Sequence, residues 1–394
     1  MQETLERLTV EVAPQVVEWR RHLHRHPELS FQEHETSRFI AQRLAALPGI
    51  EVSHPSGTSV MGRLRGSRPG PTIAVRADFD ALPIHEETGL PFASENPGVM
   101  HACGHDGHTS ILLGVATALS ALREELPGEV RFLFESGEET PPGGAAAMVA
   151  AGVMEGVDRV IGLHLWTRMP FGEVLVRPGR VMAACDVFEI VVEGRAGHIG
   201  SPHGAIDPIA IGAQIVTNLQ HIVAREVDPL EAAVVGVTQF HAGQSVGVIP
   251  QTATISGGTN MFSPEVRDLL ERRIGEIADG ICRAHGATAH VEYSRIYDAV
   301  INEETTTATV AEVARGLFGA AAVVDADPVM PGEDFSAFAA QAPACFVLLG
   351  AANPAKDITA DHHHPRFTVD EDALDWGVRL LAQSTLALLG EEER

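Results

Sequence analysis

Between His101 and His108 the chain places three imidazoles, one thiol and one carboxylate within eight residues, His101-Ala102-Cys103-Gly104-His105-Asp106-Gly107-His108. A thiolate and an imidazole two positions apart, Cys103 and His105, can reach one metal ion from a single turn. Further donors follow at Glu138-Glu139, at His164 and at His362-His363-His364. Thiolate and imidazole suit Zn²⁺, whereas carboxylate and imidazole also accept Mn²⁺ or Co²⁺. Cations bound by such a set lower the pKa of water from ~16 toward ~7. The chemistry expected is metal-assisted hydrolysis, in a site assembled from distant segments.

These donors have to be held by elements of the chain. The first half alternates strand-like and helix-like segments. Thr72-Ile73-Ala74-Val75-Arg76 reads as a buried strand ending at Asp78, and helical spacing follows from Thr109 to Leu122. Residues 129–134 read as a second strand ending before Glu138. Ala145 to Met154 reads as a short helix closed by Gly156, and residues 159–163 as a strand ending at His164. Such alternation predicts an open, mostly parallel α/β sheet with helices on both faces. The candidate donors then fall just past strand carboxyl ends, where sheets of this kind place their sites.

From about residue 184 the pattern changes. Strands are expected at 188–192, 233–240, 252–255 and 289–293, and helices at 207–223 and 264–285. The order β-α-β-β-α-β is that of a ferredoxin-like sandwich. After about residue 298 the first alternation returns, with a strand at 345–349 and a closing helix at 370–388. We therefore expect a discontinuous metal-binding domain, 1–183 and 298–394, and an inserted α+β domain, 184–297. The insert would act as a lid that closes over substrate, and as a dimerisation module working through a sheet edge.

Bulk properties narrow the function. A chain of 394 residues exceeds the size at which one core usually stops growing, which favours two domains. A formal charge of −25 argues against nucleic acid or an anionic membrane as partner. Lys356 is the sole lysine, so a lysine-bearing phosphate loop is excluded. The start, Met1 to Arg7, is polar and acidic, unlike a signal peptide. No apolar run is long enough to cross a membrane. The four cysteines, Cys103, Cys185, Cys282 and Cys345, are widely spread and read as thiols, so a cytoplasmic location is expected.

Seven segments together resemble the metal-dependent aminoacylase and carboxypeptidase family of amidohydrolases, whose relatives include hippurate hydrolases and auxin-conjugate hydrolases. The segments are Arg76 to Pro83, His101 to His108, Gly137-Glu138-Glu139, Gly162 to Trp166, Gly197-His198, Glu333-Asp334-Phe335 and His363 to Phe367. The resemblance implies two divalent ions held by Cys103, His105, Glu139, His164 and His363, with Cys103 deprotonated by the cations. It implies that Glu138 is the general base, taking a proton from metal-activated water and returning it to the leaving amine. Asp80 resembles the carboxylate that orients the site. His198 resembles the histidine that steadies the oxyanion, supplied in several relatives by the other subunit of a dimer.

Other polar residues have plainer readings. His22, His24 and His26 read as structural or solvated. His101, His108, His362 and His364 read as supports or neighbours of the ligands, and Asp106 as a partner of the site rather than a ligand. His203 either packs near its loop or joins the site. Cys185, Cys282 and Cys345 read as core thiols.

Gly243-Gln244-Ser245-Val246-Gly247 matches the Gly-x-Ser-x-Gly elbow of serine hydrolases. A true elbow stands between a strand and a helix. Here Val248-Ile249-Pro250 follows, so a hairpin connection is expected. The same region departs from the resemblance, which would place Asn at Gly247 and Arg at Asn260, both for holding substrate. An amide cannot reproduce the charged fork of a guanidinium. Either the amine product lacks a free α-carboxylate, or Arg195 or Arg295 supplies the clamp.

The reading is an amidohydrolase acting on a small N-acyl amino acid or related conjugate. The alternative is a carboxypeptidase or dipeptidase using the same site on short peptides. A third reading, from another class, is a metal-binding protein without hydrolytic activity. Glu138 argues against that one, because a structural metal site has no use for a base.

Overall fold

The computed structural model describes residues 1–390. In chain order it begins with the helices Gln2–Arg25 (α1) and His34–Ala45 (α2), then the strands Ile50–Ser53 (β1), Val60–Arg65 (β2) and Arg68–Asp78 (β3). His105–Ser120 (α3), Pro127–Glu135 (β4), Ala145–Ala150 (α4), Arg159–Pro170 (β5), Val174–Leu175 (β6) and Gly179–Met182 (β7) follow. Next come Ala184–Glu193 (β8), Gly197–His198 (β9), Pro208–Arg225 (α5), Ala233–Ala242 (β10), Val248–Ile249 (β11), Thr252–Met261 (β12), Pro264–Ala284 (α6) and Thr288–Tyr297 (β13). The chain closes with Val300–Asn302 (β14), Glu304–Phe318 (α7), Val323–Val324 (β15), Ser336–Ala339 (α8), Ala344–Ala352 (β16) and Asp372–Leu389 (α9).

These elements form two compact units. The first comprises 1–181, 300–327 and, among the described residues, 334–390; the second comprises 182–299 with 328–333. The boundaries expected from the sequence fell at 183/184 and 297/298, and 328–333 was assigned to the first domain. The segment joins the second unit because the Ala183 N–H donates to the carbonyls of Val329 and Pro331, both at 3.1 Å. Met182 also bridges Val329 in parallel.

The first unit holds an eight-stranded sheet of order β1-β2-β4-β3-β5-β16-β6-β15. Its centre, β4-β3-β5-β16, is parallel throughout. Antiparallel pairs flank it at β1-β2, β2-β4 and β16-β6. The apolar runs of β3 and β16 are buried on both faces, as a covered parallel sheet requires. Helix α3 is buried nearly all round, packed between α1, α9 and the sheet. Helix α1 was not anticipated. Its buried Leu5, Val12, Val16, Trp19 and Leu23 recur at helical spacing within an otherwise polar segment.

The second unit has the β-α-β-β-α-β order, with sheet order β10-β12-β8-β13 and every neighbour antiparallel. Ile190, Ile215, Leu219, Ile255, Leu270 and Ile274 form its core, between the sheet and helices α5 and α6. Both helices begin with a capping side chain followed by proline. Asp207 accepts from the Ile209 N–H and Ser263 from the Val266 N–H. Gly243 to Gly247 connects β10 to the short strand β11, not to a helix, so the serine elbow lacks its framework.

Candidate metal centre

The parallel strands bring their carboxyl ends to one edge of the sheet. Asp78 ends β3 in register with Glu135, which ends β4 three residues before Glu138. His164 lies inside β5 opposite Leu348 of β16. The strand runs on to Pro170 instead of stopping at His164, and α3 begins at His105 instead of Thr109. Gly104 makes that early start possible. At φ 96° it turns the backbone in a way an L side chain resists, so Cys103 stays outside the helix and His105 opens it. His363 is also left-handed, at φ 63°, and its N–H donates to the Ala102 carbonyl at 2.8 Å. That bond ties the C-terminal histidine segment to the cysteine loop.

The candidate donors converge. Cys103 Sγ lies 3.4 Å from His164 Nε2. Glu139 Oε1 lies 3.2 Å from His363 Nε2 and 3.8 Å from His105 Nε2. Cys103, Glu139 and His363 form one group with donor atoms within 4.8 Å, and so do His105, Glu138 and Glu139. Asp80 braces two of these residues. Its Oδ1 lies 3.1 Å from His105 Nδ1, and its Oδ2 accepts the Glu139 N–H at 3.0 Å and the Ser30 hydroxyl at 2.7 Å.

The donor set fits divalent cations. Zn–S near 2.3 Å and Zn–N near 2.1 Å put two tetrahedral ligands about 3.4–3.6 Å apart, close to the separations here. His105 Nε2 and Glu139 Oε1 are buried with no hydrogen-bond partner among the described residues, which is costly unless a cation takes them. His164 gives its Nδ1 to the Leu165 carbonyl at 2.8 Å, leaving Nε2 for a metal.

Electrostatics agree. Burial pushes His105 down, but Asp78, Asp80 and Glu139 pull its pKa up to about 10. Burial and the charges of Glu139, Glu138 and Asp78 raise the Cys103 thiol well above its usual range. A site that draws protons so strongly is short of positive charge. Burial, with His108 and His362 nearby, holds His164 well below the ordinary imidazole range, so its ring is a neutral ligand.

Comparison with known proteins agrees with this geometry. A sequence profile of peptidase family M20/M25/M40 matches residues 74–387. The chain belongs to that family. It is 52% identical to an N-acyl-L-amino acid amidohydrolase of Geobacillus stearothermophilus over 300 residues, 76% of this chain and 81% of that protein. It is 40% identical to thermostable carboxypeptidase 1 of Saccharolobus solfataricus over 382 residues, 96% of each. The crystal structure of Bacillus subtilis YXEP protein, described as a dinuclear metal binding peptidase from the M20 family, superposes with a TM-score of 0.82 at 37% identity, covering 96% of this chain and 99% of that one. This chain is thus an M20-family hydrolase of the amidohydrolase kind.

The remaining candidates lie on the second unit of this M20 chain. His198 pairs with Val248, and the Gly247 carbonyl accepts the Ile199 N–H at 3.1 Å, so His198 and Gly247 are neighbours. Asn260 sits on β12 between Val234 and Cys185. Arg295 is engaged by Glu271 and Asp268, whereas Arg195 donates to the Gly204 carbonyl.

Arg76, Asp78 and Arg20 were given no role by the sequence, whereas His108 and Asp106 were expected as supports of the site. Arg76, 1% exposed, donates to Glu135, Asp78 and Asp334 at 2.6–2.9 Å. Asp78 also accepts from His108 Nδ1 at 2.6 Å. His108 uses its other nitrogen to accept the Leu165 N–H at 2.9 Å, which leaves it no lone pair for a metal. His24 joins Arg20 and Asp106 in a buried ion cluster behind α3. The position of Asp78 at a strand end, two residues from Asp80, was the one sequence signal for these roles.

Proposed function

We propose that the chain is a dinuclear-metal amidohydrolase cleaving the N-acyl amide bond of an N-acyl amino acid or related conjugate, giving a carboxylic acid and an amine. The observation that carries this reading is the packing of His105, Glu138 and Glu139, with donor atoms within 4.8 Å of one another. Cys103, His105, Glu139, His164 and His363 would hold two divalent ions, Zn²⁺ or Mn²⁺ with Co²⁺ as a substitute. When bound, such ions acidify water and polarise a scissile carbonyl.

Glu138 takes the proton from the attacking water and later delivers it to the amine nitrogen, a transfer worth roughly 10²–10⁴-fold in rate. Asp80 keeps His105 and the Glu139 backbone in position. His198 accepts the Gly200 N–H at its Nδ1, so the neutral ring carries its proton on Nε2. An imidazole N–H so oriented is the kind of donor an oxyanion needs.

Similarity to the Geobacillus N-acyl-L-amino acid amidohydrolase supports an acyl amino acid as substrate. Similarity to the carboxypeptidase supports the second reading, a short peptide cleaved by the same residues. Asn260 and Gly247 offer no cation for a substrate carboxylate, and Arg295 is committed to two acids. Arg195, exposed and bonded to the Gly204 carbonyl, is the guanidinium left to hold the α-carboxylate of the amino acid product.

The four cysteines are unbridged, which suits the cytoplasm. Among the described residues no helix is long and apolar enough to cross a membrane. Strand β10 is a sheet edge with exposed Phe240 and Val234, and suits a homodimer through the inserted unit. The test is metal analysis joined to hydrolysis of paired N-acyl amino acids, their amides, and dipeptides. Two ions per chain with turnover of the N-acyl amino acids ahead of their amides is the expected result. Strong preference for the amides refutes the Arg195 clamp, and failure on every amide bond refutes the hydrolase.

A further inference from the structure

The backbone of one residue, Leu165, joins two parts of the centre that are nearly two hundred residues apart. The Leu165 N–H donates to His108 Nε2 at 2.9 Å. Its carbonyl accepts from His164 Nδ1 at 2.8 Å and from His362 Nε2 at 3.0 Å. A carbonyl oxygen has two lone pairs, so both donors are satisfied at once. His108 is fixed in turn by Asp78, and Trp166 packs against the His362 and His164 rings, with centroids 4.5 and 5.5 Å away.

We propose that the Leu165 backbone is a clamp coupling the two ligand histidines His164 and His363, with His108 and His362 as its positioning residues. His362 is the arm of the clamp. It stands one residue before His363, whose left-handed backbone is pinned to Ala102 by its own N–H. The loop carrying His363 is therefore fastened to the strand carrying His164 and to the loop carrying Cys103. Neither His108 nor His362 touches a metal; each acts through the Leu165 backbone. Partners that orient a ligand imidazole typically cost 10–100-fold in metal affinity when removed. Here the loss should reach both ions, because one carbonyl serves both histidine segments.

The clamp rests on the dinuclear reading above, and its test reads metal binding directly. Metal-stripped wild type, His362→Leu and His362→Gln are titrated with Co²⁺ while the visible spectrum is recorded, and kcat and KM follow on the loaded proteins. Leucine removes the donor, whereas glutamine keeps an N–H at similar reach. His362 is preferred over the fully enclosed His108 because its side chain is 10% exposed and tolerates exchange better. The expected result is a loss of at least tenfold in Co²⁺ affinity, an altered spectrum and a lower kcat with little change in KM for His362→Leu. His362→Gln should stay near wild type. Wild-type affinity and spectrum in His362→Leu, or equal damage in His362→Gln, overturns the clamp. The cobalt comparison decides the clamp even if wild type cleaves no amide, an outcome that sinks only the hydrolase reading.

Discussion

His105 Nε2 and Glu139 Oε1 face each other across 3.8 Å, both buried, and neither makes a hydrogen bond among the described residues. Leaving a buried polar atom unsatisfied costs about 1–3 kcal/mol. A cation shared between the two removes that cost. The metal-loaded protein should therefore be the more stable form, by about 2.7 kcal/mol when free metal stands at a hundred times its Kd. Thermal melts with Zn²⁺ or Mn²⁺, and again after chelation, check this. An unchanged melting temperature together with undiminished hydrolysis after chelation would show that the pair serves another purpose.

Glu138 divides the hydrolase from a binding protein on the same fold. It lies within 4.8 Å of the donor atoms of His105 and Glu139, 8% exposed. Glu138→Gln keeps the shape and removes the base. Metal content should stay at the wild-type level while kcat falls by roughly 10²–10⁴-fold. Loss of metal in parallel with activity would assign Glu138 to coordination, and full activity would remove it from the chemistry.

The two kinds of site residue differ in how plainly they read from sequence. Cys103, His105, Glu139, His164 and His363 are chemically rare types placed beside buried apolar runs, so local pattern singles them out. The parallel sheet and the β-α-β-β-α-β insert were legible for the same reason, because periodicity is a local property. The roles of His108, His362 and Arg76 depend on which partner each ring nitrogen or guanidinium meets across the fold, and no local pattern carries that. The start of α3 right after Gly104 and the run of β5 past His164 were missed because backbone conformation, sheet pairing and burial override local propensity. Helix α1 was hidden because most of its residues are polar and only one face is buried.

Arg76 is the hub beneath the site. Its guanidinium holds Glu135, Asp78 and Asp334, all within 2.9 Å and all shielded from solvent. Arg76→Met removes that cation from three carboxylates in a low-dielectric region. Removing one partner from a buried charge cluster costs about 3–5 kcal/mol. Arg76→Lys should recover little, because an ammonium cannot serve three acids in a planar fork. Urea denaturation of both variants gives the number. A loss below about 1 kcal/mol for Arg76→Met would mean that the carboxylates find other partners.

Glu303 gives a pH test well away from the metal ligands. It caps α7, accepting from the N–H groups of Thr305 and Thr306 at 2.8 and 2.7 Å. Burial pushes its carboxyl up, but the Thr306 and Thr305 donors outweigh that and hold its pKa at about 2. A carboxylate with a depressed folded-state pKa stabilises the protein above its unfolded value of about 4.5, and the contribution fades as pH falls toward 2. Glu303→Ala should cost about 1 kcal/mol at pH 7, the usual worth of a helix cap. The gap to wild type should hold down to about pH 5 and narrow below it, since only wild type loses the capping charge. Urea melts at pH 7, 5 and 4 measure this. A gap that widens on acidification would contradict the assigned sign, and no gap at pH 7 would remove Glu303 from the stability of α7.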